Sequence, residues 1–290
     1  MTSLGMIFQP SFAPERLVPA AQRAERAGIE EFWVWEDCFK ESGIASVTAA
    51  LAATERLRVG VGILPMPLRN AAITAMELAT IERLFPGRPR FGLGHGVLDW
   101  MGQVGNRVAS PLTLMREYLP ALRRLLDGEE VTVDGRYVHL DRVRLDWPPQ
   151  QRLPVLAAGE GPKTLALTGA VADGTVLSAG WSPPAVREAV GRIRAGREEA
   201  GRAGDHEVVV FLMAEFGDGA AERMEAEFDR WGLTGDSRFA ATGDDAAVEA
   251  DVHDLFDAGA TTVLLQSRSG EEDLDGWTEA VGRVQARVRG

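Results

Sequence analysis

Glycines alternate with apolar residues in one short stretch of the chain, and a histidine lies among them. The stretch runs from Arg90 to Trp100, with glycines at positions 92, 94 and 96 and His95 between the last two. Glycine weakens a strand unless another group must approach the backbone closely. The spacing therefore indicates either a strand end that opens onto a ligand or a tight bend at a barrel corner. It is not the G-x-G-x-x-G dinucleotide fingerprint, because Val97 occupies the third glycine position.

Asp37 and Cys38 form a second group that could do chemistry, directly after an aromatic, β-branched run that predicts a strand. The carboxyl ends of parallel strands meet at one edge, so these side chains could lie near His95. We therefore take Asp37, Cys38 and His95 as the candidate catalytic residues. Cys38 with His95 could form a nucleophile–base pair, but an inert, partly buried thiol is the more common state of a lone cysteine. His95 could bind a ligand or be satisfied by a backbone carbonyl.

A loop after the predicted fifth strand imitates a phosphate loop without having its order. Proline separates glycine from lysine there, so the sequence does not match G-x-x-x-x-G-K-[ST]. The loop still places backbone N–H groups before a helix N-terminus, which attracts anions, and the end of the next strand offers further donors. We favour phosphate binding over simple helix capping, with Glu160 turned to solvent because its charge would repel an anion. The predicted anion-binding residues are Gly159, Glu160, Gly161, Pro162, Lys163, Ser178, Ala179 and Gly180.

Composition and missing motifs exclude several classes of function. The chain has 290 residues, a formal net charge of −12 and no basic block, so neither nucleic acid nor an anionic membrane surface is an expected partner. One cysteine permits no internal disulfide, and the N-terminus lacks the pattern of a signal peptide, so we expect a cytoplasmic protein. The four histidines have no zinc-binding spacing, and no G-x-S-x-G elbow occurs, so neither a metal site nor a serine hydrolase is predicted.

Strands and helices alternate along the chain and would bring these groups together. Eight short β-branched runs, each followed by a helical pattern, predict an α/β fold of the (β/α)8 TIM type in one domain, residues 1–290. A doubly wound sheet is the second choice, since its glycine fingerprint is missing after strand one. Asp134-Gly135 predicts a hairpin, inserted at about 128–150 after the strand-four helix. The predicted strands are 4–8, 32–35, 59–64, 91–93, 154–157, 174–177, 208–213 and 263–266.

The chain resembles the luciferase-like flavin and deazaflavin oxidoreductases, specifically the branch that uses coenzyme F420. The resemblance runs nearly end to end and implies a TIM-type barrel with a tricyclic ring held at its mouth. It also implies a bulge at the end of strand three with a cis peptide, here Gly62–Ile63, behind the ring, and places Gly94 and Gly96 among the cofactor-binding residues. The motifs that carry it are Phe32–Asp37, Gly60–Pro65, Arg90–Gly96, Trp100–Gly105, Gly161–Lys163 and Ala172–Gly174.

Two positions depart from this resemblance. F420 enzymes of the family often have histidine where this chain has Cys38, and some have glutamate where it has Val97. If a proton donor is needed, His95, Asp37 or water must serve.

The resemblance implies an F420-dependent hydride transfer to or from a small organic substrate. An FMN-dependent monooxygenase and a non-catalytic flavin-binding barrel remain as alternatives. The resemblance also implies a homodimer, because barrels of this family commonly pair through helices near strands two and three. The segments 44–54 and 70–84 lie there and are alanine-rich, and small side chains allow close helix contact.

Overall fold

Eight parallel strands close into a barrel in the protein, whose computed structural model describes residues 2–290. The hydrogen-bonded order is β11-β1-β2-β3-β4-β7-β8-β9, and β9 also pairs with β11, so the ring is complete. The strands are β1 (Ser3–Ile7), β2 (Glu31–Val34), β3 (Arg58–Pro65), β4 (Pro89–Gly94), β5 (Val131–Asp134), β6 (His139–Val143), β7 (Val155–Ala158), β8 (Gly174–Leu177), β9 (Glu207–Phe216), β10 (Ala241–Gly243) and β11 (Thr262–Gln266).

Helices surround the barrel and alternate with its strands, as the apolar spacing predicts. The (β/α)8 prediction is therefore confirmed, and the open doubly wound sheet is excluded because the ring closes. That residues 1–290 form a single domain stays a prediction. The helices are α1 (Leu17–Arg26), α2 (Gly43–Ala52), α3 (Ala71–Leu84), α4 (Leu98–Gln103), α5 (Pro111–Leu126), α6 (Pro162–Val171), α7 (Pro183–Glu199), α8 (Ala220–Trp231), α9 (Asp245–Asp257) and α10 (Leu274–Arg289).

The predicted hairpin is present between α5 and β7, and one carboxylate fastens it to the barrel. β5 and β6 pair antiparallel around the turn. Glu117 of α5 accepts the backbone N–H groups of residues 136–138 at 3.0, 2.8 and 3.2 Å. A Cβ on Gly135 would lie 2.5 Å from the Glu117 carboxylate, so a side chain there would displace it. The Asp134-Gly135 turn therefore serves both the hairpin and its attachment to α5.

One strand was not predicted, and another is longer than expected. The unpredicted strand is β10, which has only three residues. β10 pairs with the end of β9, which runs to Phe216 instead of ending at residue 213. Three residues are too few to show a period of two, which is why the pattern gave no signal.

The lower half of the barrel interior is filled by aromatic side chains. Trp33 of β2 is fully buried, and its ring centroid lies 6.5 Å from that of Phe211 on β9. A Cβ on Gly60 would come within 2.4 Å of the Trp33 indole, so the strand beside Trp33 must carry glycine there. The Trp33 Nε1–H donates to the buried Glu31 at 2.8 Å. The candidate site lies at the carboxyl ends of the strands, where Phe211 also lines it.

Buried polar groups join β7 and β8 at the opposite, amino-terminal side. Burial alone would raise the pKa of Asp173, but a hydrogen bond from the Val155 amide and the Arg123 charge hold it below its usual range. Arg152 also pairs with this carboxylate, at 2.6 Å. The Ala172–Gly174 motif thus has a structural role in the barrel.

His206 lies partly buried beside these groups as a neutral imidazole. Arg197 donates to its Nδ1 at 3.1 Å, so Nε2 carries the hydrogen and donates to Thr175 Oγ1 at 2.8 Å. Burial, followed by the charges of Arg197 and Arg202, lowers the pKa of His206 to about 4.

We expect His206 to make the fold sensitive to acid. In the unfolded chain histidine takes up a proton near its pKa of about 6.5, whereas in the folded protein His206 stays neutral down to about pH 4. The contribution of His206 to the free energy of unfolding is therefore complete above pH 6.5 and is lost as the pH falls from 6.5 to 4. Between pH 7 and 4.5 the wild type should lose roughly 2–3 kcal/mol more unfolding free energy than His206→Gln. Urea titrations at both pH values measure this difference. Equal losses in the two proteins would show that His206 does not control it.

Candidate active site

A cavity of about 490 Å³ opens at the carboxyl ends of the barrel strands. This is where TIM-barrel enzymes place their active sites, and the volume lies within the usual range for small-molecule sites, roughly 300–1,000 Å³. Ten of the predicted site residues line it, namely Asp37, Gly62, Ile63, Gly94, His95, Gly96, Gly159, Glu160, Ser178 and Ala179.

The remaining predicted residues are close in sequence to residues that line the cavity but do not line it themselves. These are Cys38, Gly161, Pro162, Lys163 and Gly180. Sequence reasoning also missed part of the lining, because several of those side chains belong to strand interiors or to a helix distant in sequence. The missed residues are Trp35, Glu36, Pro65, Val97, Leu98, Trp100, Ala158, Val176, Phe211, Trp231 and Gln266.

The floor of the cavity is an irregularity in β3. The register between β3 and β4 shifts between Gly62 and Leu64, and the Gly62–Ile63 peptide is cis, as the resemblance implies. A second cis peptide joins Cys38 and Phe39. A Cβ on Gly94 would lie 3.1 Å from the Ile63 side chain. The glycine repeat of β4 therefore gives the bulge room and leaves a flat backbone surface beneath the cavity.

His95 lies at the rim, next to a glycine that the turn requires. Gly96 has φ +67°, and a Cβ there would lie 3.0 Å from that of Pro65, so conformation and space both require glycine. The His95 Nδ1 is 2.6 Å from the Gly96 carbonyl oxygen. A carbonyl only accepts, so Nδ1 carries the hydrogen and Nε2 of the neutral ring is an acceptor. The ring is thus satisfied by backbone on one side while it lines the cavity.

A buried ion pair fixes the wall beside Asp37. Glu36 receives two hydrogen bonds from Arg69, at 2.6 and 2.8 Å, and a third from the Gly43 amide at 2.7 Å. Burial alone would lower the pKa of Arg69, but the bonds to Glu36 and the charge of Glu77 raise it. This bidentate ion pair connects the ends of β2 and β3 and neutralises the charge of Glu36.

Three aromatic side chains also line the cavity. The Trp35 and Phe211 rings are stacked with centroids 6.4 Å apart, and Trp231 meets Trp35 edge-on at 6.1 Å. The Trp231 Nε1–H donates to Glu227 at 2.7 Å, which fixes the indole at the end of α8. The cavity therefore has a flat backbone side and an aromatic side, a shape suited to a planar ligand.

The predicted anion loop leads into α6. Gly161 is its N-cap residue, with Pro162 in the first turn, and among residues 2–290 no side chain caps this end. First-turn N–H groups therefore remain for a ligand. Glu160 is exposed, as expected, yet it also reaches the rim, where it accepts a hydrogen bond from Ser178 at 2.7 Å.

Metal binding has no geometric basis in the described part of the chain. No three histidine, cysteine, aspartate or glutamate side chains of residues 2–290 are placed to hold one ion. No helix of that range is long and apolar enough to cross a membrane.

Comparison with known proteins identifies the family of this barrel. Residues 2–279 match the sequence profile described as luciferase-like monooxygenase. The chain belongs to this family. The family resemblance drawn from the motifs is therefore confirmed over nearly the whole sequence.

The relatives of this luciferase-like protein include F420-dependent enzymes. It is 30% identical to 5,10-methylenetetrahydromethanopterin reductase of Methanolobus tindarius over 69% of this chain and 61% of the relative. It is 27% identical to F420-dependent glucose-6-phosphate dehydrogenase of Kineococcus radiotolerans over 74% of this chain and 68% of the relative. The chain thus spans about three fifths of the reductase's length. A solved F420-dependent secondary alcohol dehydrogenase, with an F420–acetone adduct, superimposes with a TM-score of 0.88 at 22% identity, over 100% and 99% of the two chains, which supports the fold.

We expect Cys38 of the luciferase-like protein to react slowly as a nucleophile. Burial raises the pKa of its thiol, and the negative charges of Glu36 and Asp37 raise it further, so little thiolate forms near pH 7. The rate of alkylation by iodoacetamide, followed by mass spectrometry as a function of pH, should have its midpoint above that of free cysteine, which is at about pH 8.5. The chain has one cysteine, so the mass shift is unambiguous. The guanidinium-unfolded chain is the control, and equal native and unfolded rates at pH 7 would contradict this expectation.

Proposed function

We propose that the protein is an F420-dependent oxidoreductase that moves a hydride between the deazaflavin and a small organic substrate. The observation that carries this proposal is the backbone surface at Gly62–Ile63, which β4 glycines border and which lines one cavity with Trp35, Phe211 and Trp231. A planar tricyclic ring would lie on this surface, beside the aromatic side chains. The F420-dependent relatives support this cofactor over FMN.

The chain's own residues would hold F420 at two places. The ring would lie across Gly62 and Ile63, with Gly94 and Gly96 beside it and Asp37 and His95 at its edge, whereas Cys38 lies outside the cavity lining. The phosphate would lie against the α6 N-terminus, at the loop from Gly159 to Lys163, with Ser178 to Gly180 beside it. When bound, F420 supplies or accepts the hydride; the protein aligns the ring with the substrate and excludes water.

Local donors must overcome the overall charge of the protein. F420 carries a phosphodiester and an acidic tail, and the chain has a net charge of −12. Salt screens exposed charges beyond about 10 Å, whereas N–H groups at a helix terminus act directly on a bound phosphate. The Ser178 hydroxyl already donates to the Glu160 carboxylate, so the backbone N–H groups at the α6 N-terminus, and not Ser178, would be the donors to the phosphate.

We expect the protein to retain F420, and not FMN, after mixing and desalting, as measured by absorbance.

Gly161→Val should weaken F420 binding at least tenfold, because its side chain would fill the position of the phosphate. Lys163→Ala should weaken it only about twofold, and more at low salt, since its charge acts at longer range. Turnover of reduced F420 with enones, imines and pterins would distinguish an enzyme from a non-catalytic binding barrel.

The valine variant is a clean test because the fold tolerates it. Gly161 has φ −74° and ψ 152°, which valine also adopts, and the nearest atom to an added Cβ is 3.9 Å away. Tight F420 binding by Gly161→Val would place the phosphate elsewhere. Retention of FMN in place of F420 would favour the monooxygenase alternative.

We also propose that the protein is a cytoplasmic homodimer. The outer face of α3 carries Ile73 and Met76, whose side chains are 48% and 54% exposed. On the neighbouring α2 the exposed positions include Ala45, Ala49 and Ala52, which allow close approach of another helix. These two faces support pairing through α2 and α3, and the single cysteine supports the compartment.

Light scattering at micromolar concentration should give twice the monomer mass of 31.3 kDa. Met76→Asp should give the monomer mass, because a carboxylate buried between subunits would lose its hydration. Ala195→Asp, an exposed position on α7, is the matched control and should remain dimeric. A monomeric wild type would disprove this proposal.

A further inference from the structure

One carboxylate of α8 is buried, although the other acidic side chains of this helix face the solvent. Glu222 and Glu225 are exposed, whereas Glu227 is only 4% exposed. A buried carboxylate is costly unless its oxygen atoms receive hydrogen bonds. The position of Glu227 therefore calls for donors around it, and the elements that supply those donors indicate what the carboxylate does.

Three donors converge on a single oxygen atom of Glu227. Its Oε1 accepts the Trp231 Nε1–H at 2.7 Å, the Ser269 backbone N–H at 2.9 Å and the Ser269 hydroxyl at 2.6 Å. The other oxygen, Oε2, lies 3.4 Å from the exposed Arg230, and exposed ion pairs contribute little. The carboxylate thus connects the last residue of α8 to the loop that follows β11, two elements far apart in the sequence.

Both of these elements belong to the cavity. Trp231 lines it, although this residue is 42% exposed and ends its helix. Ser269 follows three residues after Gln266, which also lines the cavity. An exposed side chain at a helix end has several rotamers open to it. The hydrogen bond to Glu227 selects one of them, and the Ser269 bonds fix the carboxylate itself.

The bond also decides what Trp231 offers to a ligand. The indole has one polar group, its N–H, and Glu227 already accepts it. Only the apolar ring therefore remains for contact, and this ring meets Trp35 edge-on at 6.1 Å. Trp35 in turn stacks with Phe211. A displaced Trp231 would thus remove one of three neighbouring rings from the lining.

We propose, on the basis of the proposed function, that Glu227 is a positioning residue of the active site. It holds the Trp231 indole in the cavity, beside the space that the F420 ring would occupy, and ties it to the loop after β11. Glu227 does so as a hydrogen-bond acceptor and touches neither the cofactor nor the substrate. The substrate then meets an apolar ring at the end of α8.

The wild-type protein provides a first test without any substitution. The Trp231 indole N–H should exchange with solvent at least tenfold more slowly than the Trp147 indole N–H, as measured by proton–nitrogen NMR. Both residues are exposed, by 42% and 72%, so the hydrogen bond to Glu227 is the expected cause of the difference. Equal exchange rates would overturn the proposal.

Two substitutions of similar size separate hydrogen bonding from packing. Glu227→Gln keeps an acceptor oxygen, whereas Glu227→Leu removes it. In protein labelled with 5-fluorotryptophan, Trp231→Phe identifies the Trp231 signal among the seven tryptophans. Glu227→Leu should shift and broaden this fluorine NMR signal, and Glu227→Gln should leave it close to that of the wild type.

Glu222→Leu is the matched control, because it makes the same change at an exposed position of α8, and it should leave the signal unchanged. Thermal melting checks that each variant is folded, and if Glu227→Leu is not, the wild-type exchange rates decide. An unmoved Trp231 signal in folded Glu227→Leu, or an equal disturbance in Glu227→Gln, would overturn the proposal.

Addition of F420 tests the connection with the cavity. It should shift the fluorine signals of Trp231 and Trp100, which line the cavity, and not that of Trp147, which lies outside the lining. In Glu227→Leu the Trp100 signal should still respond, whereas the response of Trp231 should fall by at least half, because the indole is no longer held in place.

The outcomes distinguish this inference from the proposed function. A full Trp231 response to bound F420 in Glu227→Leu overturns the inference alone. A protein that binds no F420 overturns the proposed function and the part of the inference that concerns the cofactor. The exchange rates and the signals of the cofactor-free variants then still decide whether Glu227 positions Trp231.

Discussion

The close approach of β3 and β4 is the constraint on which the rest of the site depends. Two parallel strands that stay in register leave no flat backbone at the rim, because side chains alternate towards the interior. Here the register shift after Gly62 brings Ile63 over Gly94, where no side chain of β4 obstructs it. The aromatic wall, the His95 turn and the α6 loop all take their positions around this surface. A larger residue at position 94 would have to displace Ile63, and with it the cavity floor.

Electrostatics divides the site into two regions with different tasks. At the loop before α6, backbone N–H groups offer positive potential without any cationic side chain. Inside the cavity, the charged side chains are acids, and Arg69 is held by Glu36. Glu160 belongs to both regions, because it lies on the loop and lines the cavity, so a phosphate held by these N–H groups would lie beside an acid.

Strand ends were the part of the site that the sequence revealed well. Asp37, His95 and Gly159 were found because parallel strands deliver their last residues to one rim. Phe211 was missed since it lies inside a uniformly apolar strand, where side-chain direction depends on a register that only pairing defines. Trp231 reaches the cavity from a helix distant in sequence, and no local pattern marks such a contact. Cys38 follows Asp37 in the sequence but is not among the residues that line the cavity, and its role stays a prediction.

The strands of the barrel were also easier to predict than the short strand β10, because a repeated pattern gives a stronger signal. Eight strands repeat one pattern with helices between them, whereas β10 has three residues and depends on the extension of β9 for a partner.

The pair of Trp33 and Gly60 has a consequence for how this sequence can diverge. The indole occupies the space that any side chain at position 60 would need, so the sizes of residues 33 and 60 are coupled. A lineage that enlarged residue 60 first would lose its barrel packing before it could shrink residue 33. A side chain at position 60 is therefore compatible with this barrel only together with a smaller residue at position 33.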